Sequence, residues 1–384
     1  MKAGWETRPL GEVCDFEGGS QPPKAEFIYE EKSGYVRFLQ IRDFASDKNI
    51  TYIPQSAKNR LCNEGDTLIG RYGASVGKIL TDKAGAYNVA LMKTIPNLAV
   101  LDRSWFRNYL VSDEFQSRLL NVADRSAQAG FSKDDINSFP VPIPPLPEQR
   151  RIVGVLDEAF EGVATAKANA EKNLQNARAL FESHLQSVFT QRGDGWEERQ
   201  LGEVCDFEGG SQPPKSQFIY APKAGYVRFL QIRDFGSDKH ITYIPESPKN
   251  RSCREDDIMI GRYGASVGKI LKGRSGAYNV ALMKTVPNPE VLDRDFFHQY
   301  LISGGFQDLL RRVADRSAQN GFSKEDIFPF PVPVPPLQEQ RTIVGRLGPF
   351  REETQRLASI YQQKLAALDE LKKSLLHQAF SGEL

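Results

Sequence analysis

The sequence predicts an α+β protein with two near-identical mixed α/β domains, each followed by a long helix. The two helices are predicted to pack as an antiparallel coiled coil with pseudo-two-fold symmetry. Three observations lead to this prediction. The chain repeats itself at a constant offset, each repeat ends in a proline-rich segment, and about 40 residues of helical periodicity follow that segment.

The repeat spans nearly the whole chain. Trp5 aligns with Trp196 and Phe189 with Phe380, always 191 residues apart and without insertion or deletion. Between 5–44 and 196–235, 33 of 40 positions are identical, so the globular copies are expected to fold alike and bind alike. A period this long indicates a domain-plus-helix module used twice rather than a solenoid. The predicted boundaries are 1–144 and 191–335 for the domains, and 145–190 and 336–384 for the helices.

Within one module, hydrophobic spacing predicts the elements. Alternation predicts strands at 36–42 and 87–96, and the segments 67–71 and 76–80 flank a hairpin turn. Apolar residues at helical spacing predict one helix from Asp102, its N-cap, to Ala123. Ser132 begins a capping box that opens a short helical turn.

Each long helix needs a partner. Prolines at 140–147 impose an extended entry, and the helix is predicted from about Pro147 to Phe189, roughly 60 Å. A single apolar stripe of this length is unstable alone in water, so the second copy is the expected partner, although each helix could instead pack only on its own domain. Gly348-Pro349 predicts a kink or break in the second helix. The predicted packing residues are apolar: Ile152, Leu156, Phe160, Val163, Leu174, Phe181, Leu185, Ile343, Leu347, Leu357, Tyr361, Leu368, Leu371 and Leu375.

Composition narrows the function classes. No apolar run approaches the roughly 18 residues of a membrane span, and the N-terminus lacks an apolar signal region, which predicts a cytoplasmic protein. The four cysteines and four histidines are scattered, so no metal site is predicted. Net charge is +1, so any nucleic-acid contact would depend on a local basic face.

Catalytic motifs are missing from the sequence. The segment 73–78 resembles a phosphate-binding loop, but Tyr72 stands where that loop needs its first Gly and Ile79 where it needs a hydroxyl. The motifs of adenine and cytosine methylation, the serine-hydrolase elbow and the zinc-protease helix are absent as well. We therefore predict no catalytic residues and no cofactor bound by this chain.

The remaining pattern is suited to binding DNA. Arg matches a guanine edge and Asn or Gln an adenine edge, each worth about 1–3 kcal/mol of discrimination, whereas Lys and Ser reach phosphates. For each residue, a solvated surface role is the alternative. The candidates lie near predicted turns in both copies: Arg42, Arg71, Tyr72, Ser75, Lys78, Asn88, Gln128, Arg233, Arg262, Tyr263, Ser266, Lys269, Asn279 and Gln319.

These motifs, in this order and present twice, resemble the specificity subunit of type I restriction–modification systems. The resemblance covers essentially the whole chain. It rests on Gly70-Arg71-Tyr72-Gly73-Ala74-Ser75-Val76-Gly77-Lys78, Tyr87-Asn88-Val89-Ala90-Leu91, the segment 126–136, and above all Pro142-Ile143-Pro144-Pro145-Leu146-Pro147-Glu148-Gln149-Arg150-Arg151-Ile152-Val153.

The resemblance implies two target-recognition domains that each read half of a bipartite site on double-stranded DNA, with the helices acting as a ruler for the gap. It also implies two modification (methyltransferase) subunits that use S-adenosylmethionine, and restriction subunits that use ATP and Mg. Since the two domains are nearly identical, an inverted-repeat target is expected. The alternatives are a recognition subunit of a related system without the ATP-driven motor, a protein-bridging helical scaffold, and a stand-alone enzyme.

Overall fold

The computed structural model describes residues 4–125, 130–316 and 320–384. The chain forms two compact units: unit 1 comprises Met1–Ala170 and Gln363–Leu384, and unit 2 comprises Glu171–Gln362. Two 45-residue helices, α5 (Leu146–Thr190) and α10 (Leu337–Ser381), each contribute one part to unit 1 and the other to unit 2. No helix in the described part of the chain is both long and apolar enough to cross a membrane.

Among its described residues, the globular part of unit 1 contains three sheets. An antiparallel sheet has the order β2-β9-β6-β7, a mixed sheet has the order β4-β3-β8-β5 with β3 and β8 parallel, and β1 pairs with β10. The strands are β1 (Glu6–Pro9), β2 (Cys14–Gly18), β3 (Tyr35–Leu39), β4 (Tyr52–Pro54), β5 (Leu61–Cys62), β6 (Leu68–Gly70), β7 (Ile79–Leu80), β8 (Gly85–Tyr87), β9 (Leu91–Pro96) and β10 (Pro140–Ile143). The short helices are α1 (Leu10–Val13), α2 (Arg103–Val111), α3 (Asp113–Ala123) and α4 (Lys133–Ile136).

Local predictions hold where a single residue decides the conformation. The Asp102 carboxylate accepts hydrogen bonds from the N–H groups of Ser104 and Trp105, which confirms it as the N-cap of α2. The capping box of Ser132 and the hairpin of β6 and β7 are confirmed too.

Three predicted boundaries in unit 1 are wrong. The 36–42 strand ends at Leu39, and a 3₁₀ turn occupies Ile41–Phe44. The 87–96 strand is two strands of different sheets, β8 and β9, separated by a turn at 88–90. The 102–123 helix breaks at Ser112, whose hydroxyl donates to the Tyr109 carbonyl at 2.7 Å while its backbone is extended.

The core of unit 1 joins the antiparallel sheet to the helices. Trp105 is fully buried against Phe380 near the end of α10, with ring centroids 4.5 Å apart. Its indole N–H donates to the Pro142 carbonyl, and the Tyr109 hydroxyl donates to the Pro140 carbonyl. Two carbonyl groups of β10 thus receive hydrogen bonds from buried aromatic side chains. The start of α5 and the end of α10 therefore share one core with the sheet, where they run antiparallel.

Unit 2 repeats this arrangement with sheet orders β12-β19-β16-β17, β14-β13-β18-β15 and β11-β20. Its strands are β11 (Glu197–Gln200), β12 (Cys205–Gly209), β13 (Tyr226–Leu230), β14 (Tyr243–Pro245), β15 (Ser252–Cys253), β16 (Met259–Gly261), β17 (Ile270–Leu271), β18 (Gly276–Tyr278), β19 (Leu282–Pro287) and β20 (Pro331–Val334). Its short helices are α6 (Leu201–Val204), α7 (Arg294–Ile302), α8 (Gly304–Ala314) and α9 (Lys324–Ile327). Here the end of α5 and the start of α10 share one core, which contains Leu185 and Leu347, and Phe181 of α5 lies 6.4 Å from Phe350 of α10 between ring centroids.

Helix α10 runs without interruption through Pro349, so the predicted break is wrong; a kink there stays a prediction. The residues around the proline are held by packing. Leu347 is 1% exposed, and the Phe350 ring lies 4.7 Å from the His184 ring. The Arg351 guanidinium lies 4.7 Å from the centroid of Phe181. These contacts offset the single backbone hydrogen bond that proline removes.

A buried glutamine attaches each long helix to its globular domain. Gln149 has no solvent exposure; its amide donates to the carbonyls of Val100 and Pro144, each at 2.8 Å, and accepts from the Asp102 N–H at 2.7 Å. Gln340 makes the matching three bonds in unit 2. The Pro-rich helix entry is thereby fixed to the N-cap of α2 or α7.

Candidate nucleic-acid interface

The turn between β6 and β7 presents most of the candidate residues of unit 1. Its ends are tied by hydrogen bonds from the Gly70 N–H to the Lys78 carbonyl and from the Gly77 N–H to the Gly70 carbonyl. A Cβ on Gly70 would lie 2.1 Å from the Ser75 carbonyl oxygen, so only glycine permits this close return of the backbone. Lys78 is exposed and Ser75 half-buried on the resulting loop.

Arg71 is held in place at the base of this loop. Its Nε and Nη2 both lie 3.3 Å from the Phe131 carbonyl oxygen, and its guanidinium lies 5.0 Å from the centroid of the Tyr72 ring. Tyr72 is 40% exposed, and its backbone pairs with Gly130. The structure therefore places the hairpin next to the segment that precedes α4. These contacts hold the guanidinium in one orientation.

Asn88 lies beside Arg71 in the turn from β8 to β9. The Arg71 N–H donates to the Ala90 carbonyl, and the Asn88 N–H donates to the Leu39 carbonyl. The Asn88 Oδ1 accepts from the Ala90 N–H at 2.9 Å. Through its Oδ1, this half-buried side chain therefore holds its own turn.

Arg42 extends this surface beyond Leu39. It is exposed on the 3₁₀ turn, with its Nε 3.9 Å from the Oδ1 of buried Asp43. Burial raises the pKa of Asp43, against the opposing effect of a hydrogen bond from the Gln40 N–H at 2.6 Å. The turn is thus anchored through a carboxylate while its arginine faces solvent.

The structure adds a loop that the sequence analysis missed. Gly19 lies against the backbone of the Asn88 turn. A Cβ on Gly19 would be 2.1 Å from the Asn88 carbonyl oxygen. The Ser20 N–H donates to the Tyr87 carbonyl, and the following Gln21 is exposed. The sequence did contain a signal for this loop, because residues 18–24 and 209–215 are identical, Gly-Gly-Ser-Gln-Pro-Pro-Lys in both copies. Gln21 and Gln212 thereby join the candidates.

Two other cations of unit 1, Arg60 and Lys93, form ion pairs with one carboxylate. Glu17 pairs with Arg60 at 2.8 Å and with Lys93 at 3.3 Å, and accepts from the Tyr87 hydroxyl at 3.0 Å. Burial alone would raise the pKa of Glu17, but the hydrogen bonds from Tyr87 and Lys93 and the charges of Lys93 and Arg60 together lower it. Burial, followed by the Glu17 hydrogen bond, raises the pKa of Tyr87. This carboxylate therefore partly neutralises Lys93 and Arg60.

Unit 2 carries the same site. Arg262 donates through Nε to the Phe322 carbonyl at 3.2 Å and lies 5.0 Å from the Tyr263 ring centroid. Ser266 and Lys269 occupy the matching β16–β17 turn, and Arg233 the matching 3₁₀ turn. Asn279 differs from Asn88, because its Oδ1 is buried without a hydrogen-bond partner among the described residues. Gln128 and Gln319 lie outside the described residues.

The predicted packing residues of the long helices vary in burial. Ile152, Leu156, Val163, Leu185 and Leu347 are buried, whereas Leu371 is 46% exposed. The half-buried remainder is Phe160, Leu174, Phe181, Ile343, Leu357, Tyr361, Leu368 and Leu375. Leu376 and Ala379 are also buried in the unit 1 core, although neither is among the packing residues predicted from the sequence.

Polar contacts also join the two helices inside each unit. In unit 1, the Lys167 ammonium pairs with Asp369, and the Lys372 ammonium lies 4.9 Å from the Phe160 centroid. In unit 2, the corresponding cation on Phe181 is Arg351. In both units the ring belongs to α5 and the cation to α10.

The described residues offer little for chemistry. Within 4–125, 130–316 and 320–384, no group of three or more His, Cys, Asp or Glu side chains could hold a metal ion. All four cysteines are buried free thiols, and burial raises the pKa of Cys14 to about 12 and of Cys62 and Cys253 to about 11. A neutral buried thiol is a poor nucleophile. The prominent shared feature is the surface at the β6–β7 and β16–β17 turns.

The chain matches a known protein family, and it does so twice. The family model described as type I restriction modification DNA specificity domain matches residues 2–174 and again residues 193–363. The chain is 22% identical over 418 residues to the type I restriction enzyme MjaVIII specificity subunit of Methanocaldococcus jannaschii, with 99% of this chain and 93% of that protein covered. It is 26% identical over 423 residues to the EcoKI specificity subunit of Escherichia coli strain K12, with 100% and 90% covered.

Two solved structures share the fold. One comes from work on complex assembly and conformational transition of the type I R-M system, with a TM-score of 0.83, 22% identity, and coverage of 100% of this chain and 99% of that one. The other is the HsdS subunit from Thermoanaerobacter tengcongensis, with a TM-score of 0.61, 22% identity and coverage of 100% and 98%.

Proposed function

Because this chain belongs to the family of type I restriction–modification DNA specificity subunits, we propose that it is the DNA-recognition subunit of such a complex. In this proposal it reads double-stranded DNA and assembles with two modification subunits and with restriction subunits. Methylation and cleavage, with S-adenosylmethionine, ATP and Mg, belong to those partner chains. The specificity chain itself contributes recognition and no catalysis.

One observation carries the proposal for DNA reading: the same oriented arginine occurs twice. Arg71 and Arg262 each lie on a glycine-shaped turn, each donate to a backbone carbonyl 60 residues further along the chain, and each lie 5.0 Å from the ring of the next tyrosine. A guanidinium has five N–H donors, and those that do not bind the backbone carbonyl are suited to a guanine edge. The neighbouring lysines and serines are suited to phosphates.

The two surfaces favour two copies of one half-site. The segments that build them, 18–24, 70–80 and 85–94, are identical to 209–215, 261–271 and 276–285. Identical surfaces select identical bases, and the pseudo-two-fold relation that the tandem repeat predicts would match a two-fold site. The proposed target therefore contains nearly the same half-site twice, inverted and separated by unspecified base pairs.

The first test is to sequence the methylated bases of a host with and without this chain. We expect a methylated motif that depends on the chain and consists of two near-identical inverted halves. Two unrelated half-sites would contradict the inverted-repeat proposal. A host methylome that stays unchanged with the chain and its partners present would contradict the recognition role.

The second test uses substitution. Arg71→Ala and Arg262→Ala are each expected to weaken binding by about 1–3 kcal/mol, roughly 5- to 150-fold, through one half-site each. Arg71→Lys keeps the charge but loses the planar fork, so it should also weaken binding. Arg118→Leu is the matched control, because it removes an exposed cation from α3 and installs the residue that unit 2 carries there, Leu309. Equal loss of both halves of the footprint from either alanine variant would contradict the assignment.

A further inference from the structure

Two tyrosines have exposed side chains, so packing in a core does not account for an aromatic residue at either position. Tyr29 is 72% exposed and Tyr220 77%, and among the described residues these are the most exposed large hydrophobic side chains. They occupy equivalent positions in the two copies. Around them the copies diverge, since Glu30 and Glu31 correspond to Ala221 and Pro222. An exposed ring kept while its neighbours change indicates a partner that both units share.

The tyrosine loops, residues 24–34 and 215–225, are firmly supported. Phe27 packs on Phe38 with centroids 5.4 Å apart, and Ile28 exchanges two backbone hydrogen bonds with Tyr52, at 3.0 and 2.8 Å. Unit 2 repeats both contacts with the same distances. The backbone that carries Tyr29 is therefore fixed at the edge of the mixed sheet, so less entropy would be lost on binding.

The position of each loop relates it to the candidate DNA surface. Chain order leads from Ser20, beside Asn88, through Lys24 to Ile28. Across the mixed sheet, the order is Ile28, β4, β3 and β8, and β8 ends beside Asn88. Three strand spacings of about 4.8 Å amount to about 14 Å. That distance corresponds to about four steps of B-DNA at 3.4 Å each.

The two loops differ in charge. In unit 1, two lysines stand against three glutamates, Glu26, Glu30 and Glu31. In unit 2, Lys215 and Lys223 stand without any acidic residue between 215 and 225. The loops thus carry net charges of −1 and +2, and the second is the better match for a phosphate backbone.

We propose that both tyrosine loops contact the sugar–phosphate backbone about four base pairs from the bases read near Asn88 and Asn279, and that the glutamates make the unit 1 loop the weaker contact. This inference rests on the proposed function. Tyr hydroxyls are donors to phosphate, and such contacts fix position without reading sequence. The two heads would then read the same half-site with unequal strength.

Hydroxyl-radical footprinting of the full chain with its modification subunits tests this, on a duplex that carries the target found by methylome sequencing. Tyr29→Ala and Tyr220→Ala should each remove backbone protection about four base pairs from one half-site and weaken binding roughly 3- to 10-fold, because each loses a phosphate hydrogen bond. Protection within the half-sites and the methylated sequence should persist. Leu98→Ala is the matched control, because Leu98 is 48% exposed and corresponds to proline in unit 2.

A second variant tests the charge. Glu26→Gln, Glu30→Ala and Glu31→Pro together give the first loop the side chains of the second at these positions. Binding should tighten about 3- to 10-fold at low salt, with a steeper salt dependence, because repulsion of a phosphate contact is removed. Unchanged affinity and salt dependence would overturn the charge assignment.

The outcomes separate the inference from the proposed function. A wild-type complex that protects no DNA would overturn both. A wild-type footprint that the tyrosine variants leave unaltered would overturn the inference alone. So would an unaltered footprint on the DNA combined with loss of a modification subunit on co-purification, which would assign the loops to protein docking. Unchanged melting temperatures are expected, since both rings are exposed.

Discussion

Replacing Gln149 by Leu should destabilise unit 1 strongly, because leucine cannot make the hydrogen bonds of the glutamine amide. The amide is completely buried and fully hydrogen-bonded. Leucine would leave the carbonyls of Val100 and Pro144 and the N–H of Asp102 without those partners. Each unsatisfied buried group costs about 1–3 kcal/mol. We therefore expect a loss of about 3–6 kcal/mol, since some of the three groups can relax toward water.

The assay combines calorimetry with hydrogen exchange. In a unit of this size, about 2–4 °C is lost per kcal/mol, so the transition of unit 1 should fall by about 6–24 °C. The Asp102 amide should lose protection in Gln149→Leu, while Asp293, its counterpart in unit 2, keeps it. Gln340→Leu is the matched twin and should produce the reverse. A shift below about 2 °C, or an Asp102 amide that stays protected, would refute the reasoning.

Two further predictions concern the site and the end of α10. Gly19→Ala should abolish binding by one half-site with little loss of helix content, because its Cβ would lie 2.1 Å from the Asn88 carbonyl oxygen; the control Gly154→Ala has open space and should stabilise α5 by about 0.5–1 kcal/mol. A normal footprint from the Gly19 variant would contradict the close packing. The His377 Nδ1 lies 2.7 Å from a Glu114 carboxylate oxygen, and that hydrogen bond, then the Glu114 charge, raises the pKa of His377. Because the folded-state pKa lies above the unfolded one, this stabilisation is full below about pH 6.5 and is lost as pH rises through the folded-state value. Melting of the wild type from pH 6 to 9 should show that loss, and His377→Gln should remove it; identical pH profiles would refute the pairing.

The sequence determined the features that depend on short-range patterns. The 191-residue repeat, the long helices after the prolines, the N-cap of Asp102 and the membership of the family could all be read from it, because periodicity, capping and motif order are properties of neighbouring residues. Arg71 and Arg262 could be named for the same reason, since they flank a glycine-rich turn.

Only the tertiary structure decided which of these residues meet and where elements end. Arg71 is oriented by the carbonyl of Phe131, 60 residues further along the chain. Gly19 packs against the backbone of Asn88, 69 residues away. Neither contact leaves a local pattern. The same holds for Pro349, where the contacts of α10 with α5 offset a lost hydrogen bond, and for Ser112, where one hydroxyl ends a helix that hydrophobic spacing alone would continue. Long-range packing and single hydrogen bonds of this kind override local propensity, because each is worth as much as the propensity of several residues.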